Sequence, residues 1–159
     1  MIKVLFVCHG NICRSPMAEF VLKDMVKKKG LEDMFHIESR ATHTDEIWGG
    51  KGNPVYPPAK KKLAEHGISC AGKTAQLLTK SDYKEFDYII GMDEMNYRWM
   101  HRILGKNESD SKISLLMDYT DHPRSVADPW YTRDFDATYR DVVEGCEGFL
   151  GFLERSGVI

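Results

Sequence analysis

Ten residues near the start of the chain, Val7-Cys8-His9-Gly10-Asn11-Ile12-Cys13-Arg14-Ser15-Pro16, restrict the fold more than any other stretch. The run Ile2 to Val7 before them is short and almost wholly apolar, which suits a buried strand. From Pro16 onward apolar residues recur at helical spacing, so the ten residues are the turn from strand into helix. Pro16 fits the first helical position, where a missing N–H costs nothing, and Ser15 fits the cap before it. A helix N-terminus then points back at Cys8.

This junction implies a chemistry. Loop amides from His9 to Cys13 and the positive end of the helix dipole favour an anion, and Arg14 adds a planar fork matched to two oxygens of a phosphate-like group. The same field favours thiolate over thiol at Cys8. Five residues separate Cys8 from Arg14, enough for a tight loop to wrap a tetrahedral anion with both side chains facing it. The predicted step is in-line attack of sulfur on phosphorus. A general acid is then needed for the leaving oxygen, and Asp118, Asp121 and Asp128 compete for that role on chemistry alone.

Further along, Ala18, Val21, Leu22 and Met25 continue a helical face up to Gly30. Strands are expected at Phe35–Ser39, Phe86–Gly91 and Ile113–Met117, and helices at about 59–66, 93–104 with Asp93 as cap, and 134–155. Arg40 to Pro58 and Asp118 to Tyr131 read as long loops, a length that tends to be functional. Alternating strands and helices predict an α/β fold: one domain over residues 1–159, three layers, a four-stranded parallel sheet with helices on both faces, flavodoxin-like. Ligands in such folds sit at the carboxyl ends of strands, where the loops carrying Cys8, Trp48 and Asp128 converge.

The length of 159 residues suits a core that folds unaided, and a net charge of −2 argues against a nucleic-acid partner, which needs a basic stripe. Lys27 to Lys29 reads as a solvated helix end. No stretch approaches a membrane span. The four cysteines, Cys8, Cys13, Cys70 and Cys146, accompany ample apolar residues and so do not read as a disulfide framework, with Cys70 and Cys146 as packed or surface thiols. No zinc-type spacing occurs, and neither metal nor cofactor is expected. These features suit a monomeric cytoplasmic enzyme.

The string CHGNICRSP resembles the Cys-x5-Arg-Ser signature of the low-molecular-weight protein tyrosine phosphatases. DPWY at Asp128 to Tyr131 resembles that family's general-acid loop, and NPVYPP near residue 55, LAEHGI at 63–68 and FDYIIGMDEMN at 86–96 extend the likeness along the chain. The resemblance implies that Cys8 is the nucleophile, Arg14 the transition-state clamp and Asp128 the general acid. It implies that Ser15 hydrogen-bonds the thiolate and that Asn11 holds a strained loop backbone, with Ser39 and His66 completing a polar network. A helix C-terminal histidine favoured by the dipole is the alternative reading of His66. Cys13 is implied to form a reversible disulfide with Cys8, protecting the nucleophile from over-oxidation.

Trp130 and Tyr131, with Ile12 and Trp48, are expected to wall a deep slot that admits an aryl phosphate, from a phosphotyrosine protein or a small ester, and leaves phosphoserine short of the sulfur. Protein-arginine phosphatases of the family carry threonine at the position of Ile12. The chain departs from many family members at His9, Arg40 and Trp130 and in an apparent insertion at 48–52. Thioredoxin-coupled arsenate reductases share the anion loop but need further cysteines after the third strand, and Phe86 to Leu104 has none. A non-catalytic redox or phosphate-binding module is the remaining alternative, and the Asp-Pro loop weighs against it.

Overall fold

The computed structural model describes residues 1–159. In chain order it has β1 (Ile2–Cys8), α1 (Arg14–Lys28), a 3-10 turn (Glu32–Met34), β2 (Phe35–Ala41), β3 (Ile47–Trp48) and β4 (Lys51–Gly52). There follow α2 (Pro57–Glu65), α3 (Asp82–Glu85), β5 (Tyr88–Gly91), α4 (Glu94–Leu104), β6 (Ile113–Leu115), a second 3-10 turn (Leu116–Tyr119), α5 (Pro129–Thr132) and α6 (Phe135–Arg155). The main sheet has four strands in the order β2-β1-β5-β6, all parallel. The fold class expected from the alternation of elements is the one observed.

β1 lies inside the sheet, and its period-2 alternation divides the core. Val4, Phe6 and Cys8 point into a cluster with Met17, Ala18 and Leu22 of α1 and Val142, Cys146 and Phe149 of α6. Leu5 and Val7 point the other way, onto Met100 and Leu104 of α4. Cys8 is thus the last inward residue of a strand buried from Val4 onward. α6 approaches the Leu116–Tyr119 turn so closely that a Cβ on Gly148 would lie 2.3 Å from the Tyr119 carbonyl oxygen.

Several boundaries differ from the sequence expectation. β2 runs on through Arg40 and Ala41 because the parallel ladder pairs them with Val7 and Cys8. β5 starts later, at Tyr88, because the Phe86 N–H is taken by the Asp82 carbonyl at the end of α3, an unanticipated element. β6 stops at Leu115, where the chain turns to bury Leu116 and Met117. The first expected loop holds an antiparallel hairpin, β3 on β4, and α2 begins at Pro57, its proline at the start of the helix.

Candidate active site

The largest correction concerns the start of α1. Helical geometry begins at Arg14, the N-cap is Cys13 with no side-chain hydrogen bond, and Pro16 stands in the third position. Ser15 is therefore not a cap. Its hydroxyl lies 3.0 Å from Cys8 Sγ instead, so the first amides of the helix keep no side-chain oxygen of their own.

The loop carbonyls are held from outside, which leaves the loop amides free of backbone partners on the other side. The N–H groups of Thr42, His43 and Tyr56 donate to the carbonyls of Cys8, His9 and Ile12, and the Asn11 amide donates to Cys8 Sγ at 3.3 Å. Gly10 fits here because a Cβ would press on Glu46 Cγ at 3.3 Å. Asn11 takes a left-handed φ of 59°, and its buried side chain fastens that conformation: Nδ2 donates to Ser15 Oγ (2.8 Å) and Ser39 Oγ (2.9 Å), and Oδ1 accepts from the Gln76 amide (3.0 Å).

Arg14, 5% exposed, spans two carboxylates: Nη1 donates to Asp93 Oδ2 at 2.7 Å, and Nη2 lies 3.4 Å from Asp128 Oδ2. Burial opposes its charge, but Cys8, Asp93 and Asp128 outweigh burial and hold the guanidinium above its ordinary range. Of the three competing aspartates, Asp128 is the one brought to Arg14, with its other oxygen capping α5 by accepting from the Trp130 amide at 3.0 Å. Asp93 caps α4 in a reciprocal capping box with Asn96, as expected, and also grips Arg14, which the sequence reading missed. Burial first, then Cys8 and Asp128, pushes the Cys13 thiol up to about 12, so Cys13 is a thiol at neutral pH beside the nucleophile candidate.

Two further expectations are corrected. His66 is exposed at the end of α2, stacks on Tyr139 with ring centroids 4.1 Å apart, and makes no hydrogen bond to the Asn11 network. The network instead runs on from Ser39 to Glu19, whose Oε1 accepts from Ser39 Oγ, with Lys73 donating to the Ser39 carbonyl at 3.0 Å. Glu19 was detectable in principle, being a carboxylate on the apolar face of α1 four residues after Ser15; Lys73 carries no local signal. Trp48 sits at the hairpin, 74% exposed, and makes no aromatic contact across the cleft. The ring that meets Trp130 is Tyr56, at 5.7 Å, while Tyr131 is 83% exposed. The His9 side chain is turned away to Asp45 (2.7 Å) and stacks on His43, leaving its backbone to the loop.

The model of the family described as low molecular weight phosphotyrosine protein phosphatase matches residues 3–158. The chain belongs to that family. The phosphatase YfkJ of Bacillus subtilis is 38% identical over 157 residues, 98% of this chain and 97% of YfkJ. The YfkJ crystal structure aligns at a TM-score of 0.90 and 37% identity, covering 98% of this chain and 96% of that one. A low molecular weight protein tyrosine phosphatase from Streptococcus pyogenes aligns at 0.83 and 42% identity, covering 96% and 93%. An arginine phosphatase of Drosophila aligns at 0.83 and 32% identity, covering 95% and 97%. No helix of this family member is long and apolar enough to cross a membrane.

Proposed function

We propose that residues 1–159 act as one catalytic unit, a protein tyrosine phosphatase working through a phosphocysteine on Cys8. The observation that carries this reading is the loop between Cys8 and Arg14, its carbonyls held from outside and its Asn11 amide donating to the Cys8 sulfur, with Asp128 3.4 Å from the Arg14 fork. A substrate phosphate takes the amides and the free edge of the fork, displacing Asp128 from Nη2 while Asp93 still holds Nη1. Cys8 sulfur attacks phosphorus, the bond to the phenolic oxygen breaks, and Asp128 gives that oxygen a proton. In the second half Asp128 accepts a proton from water, whose oxygen attacks phosphorus. The sulfur–phosphorus bond breaks, the thiolate returns and inorganic phosphate leaves.

The aryl preference rests on Trp130 and Tyr56 at one side of the loop and Ile12 within it. The Drosophila neighbour raises a second reading, phosphoarginine hydrolysis, against which Ile12 stands where the arginine phosphatases carry threonine. Cys13, partly buried and protonated, is the thiol proposed to condense with a Cys8 sulfenic acid, giving a Cys8–Cys13 disulfide and water; free thiols at all four cysteines suit a reducing compartment such as the cytoplasm. The test is steady-state hydrolysis of p-nitrophenyl phosphate by wild type and Cys8→Ser, with dithiothreitol and EDTA, alongside a phosphoarginine peptide. Turnover of the aryl ester by wild type alone supports the proposal. Turnover of phosphoarginine in preference to the aryl ester moves the assignment to the second reading, and no turnover overturns both.

A further inference from the structure

We infer that Lys73 is a positioning residue for the attacking sulfur, acting through a hydrogen-bond chain that runs from Glu19 by way of Ser39, Asn11 and Ser15 to Cys8. The inference rests on the reading of Cys8 as the reactive thiol.

The direction of every proton in the chain follows from its ends. Glu19 is 3% exposed and, as a carboxylate, only accepts: Ser39 Oγ donates to its Oε1 at 2.5 Å, and Lys23 Nζ to its Oε2 at 2.6 Å. Ser39 Oγ has then spent its proton and must accept from Asn11 Nδ2. The Gln76 amide donates to Asn11 Oδ1, which fixes the orientation of the side-chain amide and sends its second Nδ2 proton to Ser15 Oγ. Ser15, accepting there, has its own proton left for Cys8 Sγ, 3.0 Å away. The thiolate therefore receives a hydroxyl proton and the Asn11 amide.

Lys73 is what balances the far end. Its Nζ is 3.4 Å from Glu19 Oε1 and donates to the Ser39 carbonyl, with the side chain 9% exposed. The segment that carries Lys73 also supplies the Gln76 amide, and Gln76 in turn accepts from Ala41 at the end of β2, so one strip of chain braces α1, β2 and the loop from behind. Lys23, the other partner of Glu19, is 43% exposed and compensates it less. Burial pulls Lys73 below its ordinary range against the attraction of Glu19, with Arg40 and Glu38 the other charges around it. On the opposite side Cys8 faces Arg14 and Cys13. Removing Lys73 thus leaves a buried carboxylate under-compensated behind the thiolate and frees the strip that holds Asn11.

The experiment is the rate of iodoacetamide alkylation at Cys8, read by mass spectrometry of its peptide as a function of pH, in Lys73→Met, Lys73→Arg, Glu19→Gln and the Lys73→Met/Glu19→Gln double variant. Alkylation needs no phosphoryl transfer, so its result is separate from the success of the phosphatase reading. Lys73→Met is expected to move the midpoint upward, with roughly threefold slower alkylation on the acid side, the order expected of one uncompensated charge behind the loop. Glu19→Gln moves it the opposite way, the double variant returns to within about twofold of wild type, and Lys73→Arg matches wild type. A wild-type profile in folded Lys73→Met overturns the inference. So does a double variant displaced further than either single one, which makes the ion pair a packing element only. Should Lys73→Met not fold, an unmoved profile in Glu19→Gln is equally decisive against it.

Discussion

Asp93 serves two masters, and two substitutions separate them. Asp93→Asn keeps a side-chain oxygen for the Asn96 amide, now accepted at 2.8 Å, so the α4 cap survives. What it loses is the charge facing Arg14, exchanging a charge-assisted hydrogen bond for a neutral one, a cost of about 1–2 kcal/mol. Asp93→Ala loses the cap as well, about 1 kcal/mol, and leaves Arg14, 5% exposed, with Asp128 at 3.4 Å as its remaining carboxylate beside the Cys8 sulfur. Stripping a partner from a buried charge costs about 3–5 kcal/mol when nothing replaces it, and Asp128 reduces that. The alanine variant should therefore lose about 3–4 kcal/mol in all, roughly twice the loss of the asparagine variant. Urea unfolding measures both, and p-nitrophenyl phosphate turnover measures the consequence for the fork, with about a tenfold fall in kcat expected for asparagine if some 1.4 kcal/mol of orientation is lost. Equal destabilisation by both substitutions, with wild-type turnover in each, would refute the dual role and leave Asp93 a helix cap.

Other expectations follow from the same geometry. Asn11→Ala removes three side-chain hydrogen bonds, one of them from the Gln76 amide, whereas Asn11→Gly removes the same bonds but accepts the left-handed φ; thermal unfolding should place glycine about 1–2 kcal/mol above alanine. His66→Ala should change turnover less than twofold, since the ring touches Tyr139 and not the loop; a tenfold fall would restore it to the network. Burial holds the Cys146 thiol well above its ordinary 9.0, so above that pH the unfolded chain loses a proton the folded chain retains. The unfolded state then binds fewer protons, and stability, fully present below 9.0, falls as pH rises. Thermal unfolding between about pH 8 and 10.5 should show this limb, shallower in Cys146→Ala.

How far the residues betrayed the site depended on whether its parts were local. Cys8, Arg14 and the loop between them form one contiguous signal in the chain, whereas chemistry alone leaves Asp118, Asp121 and Asp128 in competition, and only the likeness of DPWY to the family's acid loop singles out Asp128. Asp93 was legible as a cap because its partner Asn96 is three residues away, but not as a ligand of Arg14, 79 positions distant. Ser15 next to proline has the local composition of a cap, a reading the structure overturns, while its pairing with the sulfur was implied only by resemblance, because it depends on Asn11 and on Ser39 of β2. His66 was drawn into the network by resemblance alone, and the structure instead stacks its ring on Tyr139. The hairpin around Trp48 was seen as a loop because two-residue strands have no periodicity to detect. It is bolted down by Gly52, where a Cβ would fall 1.9 Å from the Ala75 carbonyl oxygen.

The account depends most on a covalent bond between phosphorus and Cys8. The direct measurement is rapid quench of Asp128→Ala during p-nitrophenyl phosphate turnover, followed by mass spectrometry of the peptide spanning Cys8. The account predicts one added phosphoryl group on Cys8, absent from Cys8→Ser and released as the reaction runs out. Phosphate found on another side chain, or turnover with no trapped adduct at any time, would contradict it.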